Sequence, residues 1–478
     1  MPHSQPRKEK RAVQVVDLEK DPKEEIFPVS DLDCVMPRMT IAITSSYKLD
    51  DNADREAVIT DLAEGLRKTM EEYRSLAGSL ETDAKGKLFV RRTTDQVQFN
   101  IGINHLEHVD FPSYAELEQR EFPVSELNER LLPHEFTPLA APTPTKGVPV
   151  TMVQLNFIRG GLIIGTVIHH VCVDAKGIDA VMSRWAANSR ALSTGTSPPP
   201  FDPRCLDISG LNSATPLPKE RIQEVEARIR SLKYSPQIPS IDLEPSDMGQ
   251  AIFHFSTSSL AGLKTAATPH RPGEWISTCD AVAALMWRCV ARARLDYLGL
   301  TADTPHPIVL EHSLNVRDYV KPPVPDTYPG NVVSFSCVET SLDRLLAPDS
   351  LSEHAVAVRA AVNKWRSWSI IKDTMDYVAS FTDRSGIQFN LDIIKGIDAL
   401  VTNWRVVSAY QTWDFGFGPL QALRWATPVF DGYMFFLPQR PKDDPEEGME
   451  VYLGLEKSCM ARLLQDEELA KWAEVRGH

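Results

Sequence analysis

Between Val150 and Phe157 apolar and polar side chains alternate, with Val153, Leu155 and Phe157 on one side and Gln154 and Asn156 on the other. A period of two predicts a half-buried strand. Arg159-Gly160-Gly161 then reads as a tight turn, and Leu162 to His169 as a second, almost wholly apolar strand. Beyond Asp174 the period changes: Ile178, Val181, Met182 and Trp185 recur at helical spacing. A hairpin therefore runs out at His169-His170 and a helix starts just behind it.

The same grammar extends along the chain. Residues 1 to about 30 are charged and read as a loosely held arm. Met39 to Thr44 reads as a strand, and a helix follows with Val58, Leu62, Leu66 and Met70 on one stripe. Leu76 to Leu80, a turn at Asp83 to Lys87 and a strand at Leu88 to Val90 complete an α+β opening. From Ser193 to Gln250 prolines punctuate a polar stretch whose one helical patch is Ile222 to Leu232, the composition of an interdomain crossover. Alternation returns at Ala251 to Phe255. Ser277 as N-cap and Asp280 three residues on then open a helix striped with Val282, Leu285, Met286 and Cys289. Arg288, Arg292 and Arg294 suit the C-terminal end of that helix. Strands are expected at Ile308 to Val316 and Asn331 to Val338, a helix over Leu351 to Trp368, strands at Thr402 to Tyr410 and Pro428 to Leu437, and a strand–helix unit from Glu450. The division this implies is an N-terminal domain over 1–195, a proline-rich linker over 196–250 and a C-terminal domain over 251–478.

Composition narrows the partners. With 51 Lys plus Arg against 65 Asp plus Glu, the net charge of −14 argues against nucleic acid or an anionic membrane as the main partner. The seven cysteines are odd in number and scattered without a CxxC pair, so neither a disulfide framework nor a metal site is expected, and a reducing, cytoplasmic location fits. Met1 to Arg11 lacks the apolar core of a secretory signal. The longest apolar run, Gly160 to Val173, is broken by two histidines and is too short to span a bilayer.

Chemistry concentrates at two places. His170 and Asp174 stand four apart across the strand exit, where an imidazole can be aimed into a cavity while the carboxylate braces the turn. His169 falls on the opposite side of the strand and reads as packing. A lone HxxxD recurs by chance, so it carries little by itself. The second place is Asp414-Phe415-Gly416-Phe417-Gly418, a glycine-containing aromatic loop. There is no GxSxG elbow, no phosphate-binding GxxxxGK[ST] and no GxGxxG after a strand. His105-Leu106-Glu107-His108 reads as a solvated polar turn.

HxxxD near the middle followed by a DFGWG-like loop resembles the BAHD family of acyl-CoA-dependent acyltransferases. Leu76-Ala77-Gly78-Ser79-Leu80, the helix from Ser277-Thr278-Cys279-Asp280, Asn315-Val316-Arg317 and Tyr328-Pro329-Gly330-Asn331 resemble further landmarks of that family, in its order. Phe417 stands where tryptophan is usual, Pro419 where lysine is common, and Ala175-Lys176-Gly177 differs from the frequent DGxG. These departures resemble a fungal-type branch similar to trichothecene 3-O-acetyltransferase.

The resemblance implies an α+β (α/β two-layer) architecture: two chloramphenicol-acetyltransferase-like domains with mixed sheets covered by helices, and an active-site channel between them. It implies acyl-CoA, with acetyl-CoA foremost, as co-substrate, no permanently bound cofactor, and a small-molecule acceptor bearing a hydroxyl or amine on a monomeric enzyme. His170 would be the general base for direct attack on the thioester. Asp174 would be structural, paired with Arg317, and Asp414 would hold its loop. Phe415, Gly416, Phe417 and Gly418 would lie near the CoA channel, and Cys172 would be a small packing residue. The donor that holds the oxyanion has no sequence signature. Two competing readings are a condensation-type acyltransferase fed by a carrier-protein thioester, which also carries HHxxxD, and an inactive binding homologue.

Overall fold

The computed structural model describes residues 6–477 other than 96–97, 134–135, 137–146, 237–243, 245–246, 270, 272 and 445–446. In chain order its first part carries β1 (Arg7–Gln14), β2 (Glu24–Pro28), β3 (Thr40–Lys48), α1 (Arg55–Glu72), β4 (Ser79–Thr82), β5 (Leu88–Thr93), β6 (Gln98–His105), α2 (Tyr114–Gln119), β7 (Val148–Pro149), β8 (Thr151–Ile158), β9 (Gly161–His169) and α3 (Ala175–Thr194). The middle adds α4 (Lys219–Ile229), β10 (Leu232–Tyr234), β11 (Met248–Ser256), α5 (Thr257–Ala267), α6 (Thr278–Leu298), β12 (Pro307–Asn315), β13 (Val333–Ser341), α7 (Leu342–Leu345), α8 (Leu351–Trp365) and α9 (Trp368–Ala379). The last part is β14 (Ile387–Phe389), β15 (Ala399–Asn403), α10 (Ala409–Thr412), β16 (Ala422–Trp425), β17 (Tyr433–Phe436), β18 (Gly448–Glu456), α11 (Lys457–Leu463) and β19 (Glu474–Arg476).

Two central sheets organise the α+β fold. One has six strands in the order β1-β6-β8-β9-β3-β16, the other seven in the order β13-β12-β15-β17-β18-β11-β19. Both are mixed: β6 and β8 run parallel in the first, as do β12, β15 and β17 in the second. The apolar stripes of α1 and α3 share one core with Ile41, Ile43, Leu155 and Phe157 of the first sheet. In the second core α6 is buried on nearly all sides, which is why its stripe is hard to tell from its flanks. Its start is fixed by a reciprocal cap, Ser277 accepting from Asp280 N–H while the Asp280 carboxylate accepts from Ser277 N–H. Among the described residues no helix is long and apolar enough to cross a membrane.

Several expectations are corrected. The N-terminal stretch is no loose arm: β1 pairs with β6 as the edge of the first sheet, with Val13 buried. Its period was hidden by charged residues at exposed positions, which edge strands favour. β8 is buried on both faces. Asn156, on its polar side, is satisfied by Asn104, Gln154, Leu131 O and Ile163 O at 2.9–3.1 Å, so alternation there marks a polar interior rather than solvent. His105 ends β6 and bonds Glu9 (2.8 Å) and Glu107 (3.3 Å) instead of lying in a turn. The helix expected to 368 stops at Trp365 and α9 follows separately.

The strand expected over 402–410 ends at Asn403, whose side chain accepts from Arg405 N–H and starts a 3₁₀ turn at Trp404–Val406. The strand expected over 428–437 is confined to β17. The short β16, absent from the sequence pattern, pairs with β3 from Ala422↔Ser46 to Trp425↔Ile43. The last third of the chain thus supplies strands to both central sheets. Within the proline-rich stretch, α4 and β10 are formed, β10 pairing with β14, while Pro239 and Pro245 lie outside the described residues.

Candidate active site

The site is built where β9 ends. The ladder between β3 and β9 extends one bond past the strand, His170 N–H donating to Met39 O at 2.8 Å. The chain then makes a 3₁₀ turn over His170–Cys172, and the His169 ring caps it by accepting Val171 N–H on Nδ1 at 3.2 Å. Burial pulls the His169 pKa down to about 3, with the neighbouring His170 and Arg38 adding to the effect. His169 is thus a neutral structural residue, and the two histidines do not act as a pair.

The His170 ring is held by its other side. Nδ1 lies 3.0 Å from Val173 O, and a carbonyl can only accept, so Nδ1 carries the proton. Nε2 is then the unprotonated nitrogen left for the cavity that His170 lines. Burial lowers the His170 pKa below its usual 6.5, partly offset by the Val173 carbonyl and the nearby Asp174 charge. A neutral imidazole at neutral pH is the form that can take a proton. Cys172, two residues on, has its thiol pushed up by burial, which keeps it from acting as a thiolate nucleophile.

Asp174 does not bond the imidazole. It caps α3, Oδ1 accepting Gly177 N–H at 2.7 Å, and it meets Arg317 in a two-pronged ion pair at 2.8 and 2.9 Å. Val332 N–H at 2.9 Å completes four bonds to one buried carboxylate. Arg317 also donates to Asn315 Oδ1 and to the carbonyls of Tyr328 and Gly330 at 2.9–3.2 Å. The pair therefore pins the start of α3, from the first half of the chain, to the segment between β12 and β13. Gly177 belongs to this junction because a Cβ there would overlap the Pro329 carbonyl. Gly177→Ala is expected to cost about 1–3 kcal/mol, towards the upper end because the obstacle is backbone, which urea unfolding would measure.

Two supporting residues have no counterpart in the sequence reading. Asp33 accepts from Asn331 N–H (2.7 Å) and Nδ2–H (2.9 Å), and Asn331 Nδ2 also donates to His170 O at 2.9 Å. Asp179, 2% exposed in α3, accepts from Lys176, Ser408 and Trp413 at 2.9–3.1 Å and ties the helix to residues 408–413. The available signal was a charged residue inside the apolar stretch of α3, since a buried carboxylate needs partners.

The second signature lies elsewhere on α3. Asp414 Oδ1 accepts from Gly416 N–H (2.9 Å) and Gly418 N–H (3.1 Å), and both glycines hold positive φ, +109° and +117°. Phe415 is buried edge-on to Trp185 at 4.9 Å and to Tyr47 at 5.7 Å, and Phe417 packs on Tyr47 at 5.2 Å. Arg190 reaches Asp414 at 3.6 Å across an exposed gap worth little. None of residues 414–418 lines the His170 cavity. They brace α3 about 17 Å along the helix from Asp174 at Trp185 and about 24 Å along it at Arg190, at 1.5 Å per residue.

The cavity itself, about 120 Å³, opens between the two central sheets. Met39, Thr40 and Ile41 of the first sheet, with Trp425, face Ser313, Asn315, Phe335 and Thr402 of the second, and Trp404 and Tyr433 add aromatic wall. Such a chamber, largely apolar with a few polar groups and one neutral imidazole, suits proton transfer on a small organic molecule. Among the described residues no cluster of His, Cys, Asp or Glu could hold a metal ion.

Comparison with known proteins bears on the family and the fold. The model of the Transferase family matches residues 9–470. The chain is 27% identical to the acetyltransferase FGR3 of Gibberella zeae over 96% of its length and 92% of that protein's. It is 24% identical to the trichothecene 3-O-acetyltransferase TRI101 of Fusarium sporotrichioides, over 91% and 93%. Among solved structures it resembles F. graminearum TRI101 complexed with coenzyme A and deoxynivalenol, with a TM-score of 0.79, 20% identity and 94% and 99% of the two chains covered. Vinorine synthase follows with a TM-score of 0.67 at 16% identity, over 99% and 100%.

Proposed function

Because the chain belongs to the Transferase family, the BAHD acyltransferases, we propose that it transfers an acyl group, acetyl foremost, from acyl-CoA to a hydroxyl of a specialised metabolite. The observation that carries this is the His170 ring: Nδ1–H is spent on Val173 O, and the ring, with Nε2 unprotonated, lines a chamber between the two sheets. In this reading Nε2 removes the acceptor proton as the oxygen attacks the thioester carbonyl. The tetrahedral adduct collapses with cleavage of the C–S bond, and the thiolate recovers the proton from Nε2. No covalent acyl-enzyme is needed. The names of the relatives, two of them acetyltransferases and one acting on a trichothecene, support both the acetyl group and a polycyclic acceptor.

Asp174, Arg317 and Asp414 act on this chemistry only through position. Phe415, Gly416, Phe417 and Gly418 serve the CoA channel by supporting α3, since both aromatic rings are taken up in packing. The buried His169, engaged with Val171 N–H, gives no particular support to a condensation-type enzyme. The test is to incubate the protein with acetyl-CoA and a panel of hydroxylated terpenoids, following free thiol and acceptor mass. Acetylated product that disappears in His170→Ala is expected. Coenzyme A binding with no thiol release for any acceptor, unchanged in that variant, would leave a binding homologue as the answer. Turnover with a carrier-protein thioester but not with acetyl-CoA would move the donor.

A further inference from the structure

One carboxyl group beside the chamber has no part in acyl transfer. Along β12 the side chains of Glu311, Ser313 and Asn315 leave the same face of the sheet, as alternate strand residues must. Ser313 and Asn315 line the His170 cavity, and Glu311 is the next member of that row. It is paired across to Cys337 of β13 on one side and to Leu400 of β15 on the other, and Leu400 is paired in turn with Tyr433 of β17. Leu400 and Tyr433 both line the cavity. Glu311 is not itself a lining residue; it lies one step beyond them, buried behind the cavity wall on the same face of the sheet.

The chemistry of Glu311 is unusual for a core residue. It is 0% exposed, and its Oε1 has no hydrogen-bond partner among the described residues. Its Oε2 meets the Cys337 thiol, a weak donor, at 4.0 Å. Among the described residues no arginine or lysine forms an ion pair with it. The charge that acts on it is Asp398, itself committed to Val309 N–H and Asp392 N–H at 2.7 and 2.8 Å. Burial, with Asp398 adding to it, pushes the Glu311 carboxyl well above the carboxylate range, so it holds one O–H to donate. The surrounding cavity wall is aromatic: Phe335, Phe389, Tyr433 and Phe435. A few placed polar groups in a mostly apolar pocket fix the orientation of a ligand.

We propose that Glu311 is the specificity anchor of the acceptor pocket, hydrogen-bonding a ketone, ether or hydroxyl oxygen on the acceptor skeleton remote from the hydroxyl that is acylated. Leu400, which lines the cavity and pairs with Glu311 across the sheet, is the side chain an acceptor displaces to reach it. The four residue steps from Asn315 to Glu311 span about 13 Å of strand, the length of a fused-ring terpenoid rather than a simple alcohol. This inference rests on the acyl-transfer reading.

The experiment uses matched pairs of fused-ring sesquiterpenoid alcohols, one member of each carrying a second, remote ketone. They are assayed with acetyl-CoA on the wild type, Glu311→Gln and Glu311→Met. Wild type is expected to favour the keto member about tenfold, through KM. Glu311→Met is expected to lose that preference while keeping KM for acetyl-CoA and the rate with the keto-free alcohol. Glu311→Gln, still a donor, keeps most of the preference. Both variants remove a buried acid whose Oε1 has no partner among the described residues and are expected to melt no lower than the wild type; should the methionine variant not fold, Glu311→Leu removes the donor in its place. A keto preference unchanged in Glu311→Met, an equal loss on both members, or a Gln variant that loses the preference entirely would each overturn the anchor. Absence of wild-type turnover across the panel would instead overturn the acyl-transfer reading on which it stands.

Discussion

His170→Ala is expected to lower acetyl transfer by about 10²–10⁴-fold while leaving the melting temperature close to that of the wild type. The ring contributes one bond, to Val173 O, and the backbone bond from His170 N–H to Met39 O survives the substitution. The loss should fall on kcat rather than on KM for acetyl-CoA, because the imidazole acts on the acceptor proton. Steady-state kinetics checked by circular dichroism would decide it; a folded variant with wild-type kcat would remove His170 from the chemistry.

The pH profile gives an independent reading of the same residue. Burial lowers the His170 pKa below 6.5, so the neutral base persists into mildly acid solution. kcat/KM is expected to stay level from neutrality down through pH 6.5 and to fall only below it. Stability moves in the same direction. An unfolded chain takes up protons at His169 and His170 near pH 6.5, while the folded protein resists, holding His169 down to about 3. The unfolded state therefore binds more protons below pH 6.5, and folding free energy declines as the pH drops. Recovery of activity on returning to neutrality separates titration of the base from acid unfolding. A rate that falls already between pH 8 and 7 would contradict the depressed pKa.

What could be read from the chain, and what could not, divides along physical lines. The β8–β9 hairpin, the strand exit and α3 were legible because each rests on local periodicity and one change of period at Asp174. The capping box at Ser277 and Asp280 was legible for the same reason, being a contact between residues three apart. β16 was not: four residues, Ala-Leu-Arg-Trp, carry no period, and their place is set by pairing with β3 some 380 positions earlier. Asp179 and Asp33 were missed because their partners, Ser408 and Asn331, are brought in only by tertiary contact. The aromatic loop was visible as a motif, but its role as a brace for the back of α3 depends on Trp185 and Tyr47, which no local pattern links to it.

The buried ion pair carries the largest expected effect on stability. Asp174 and Arg317 have side chains only 5% and 1% exposed, so solvent does not screen what is lost when one partner goes. Removing either leaves an uncompensated charge in the core, and Asp174→Ala and Arg317→Ala are each expected to cost about 3–5 kcal/mol in denaturant unfolding. Asp174→Ala also strips the cap from α3, since Gly177 N–H and Val332 N–H lose their acceptor. Arg317→Lys should recover little, because one ammonium cannot face both carboxylate oxygens and the Tyr328 and Gly330 carbonyls together. The double variant Asp174→Ala/Arg317→Ala is expected to lose less than the sum of the singles, since the second deletion abandons no charge. Activity then distinguishes a brace from a catalyst. At a temperature where Asp174→Asn is fully folded, it should retain measurable turnover, whereas His170→Ala at the same temperature should not. If folded Asp174→Asn is as inactive as His170→Ala, the carboxylate works on the proton itself, and the assignment of Asp174 to architecture alone fails.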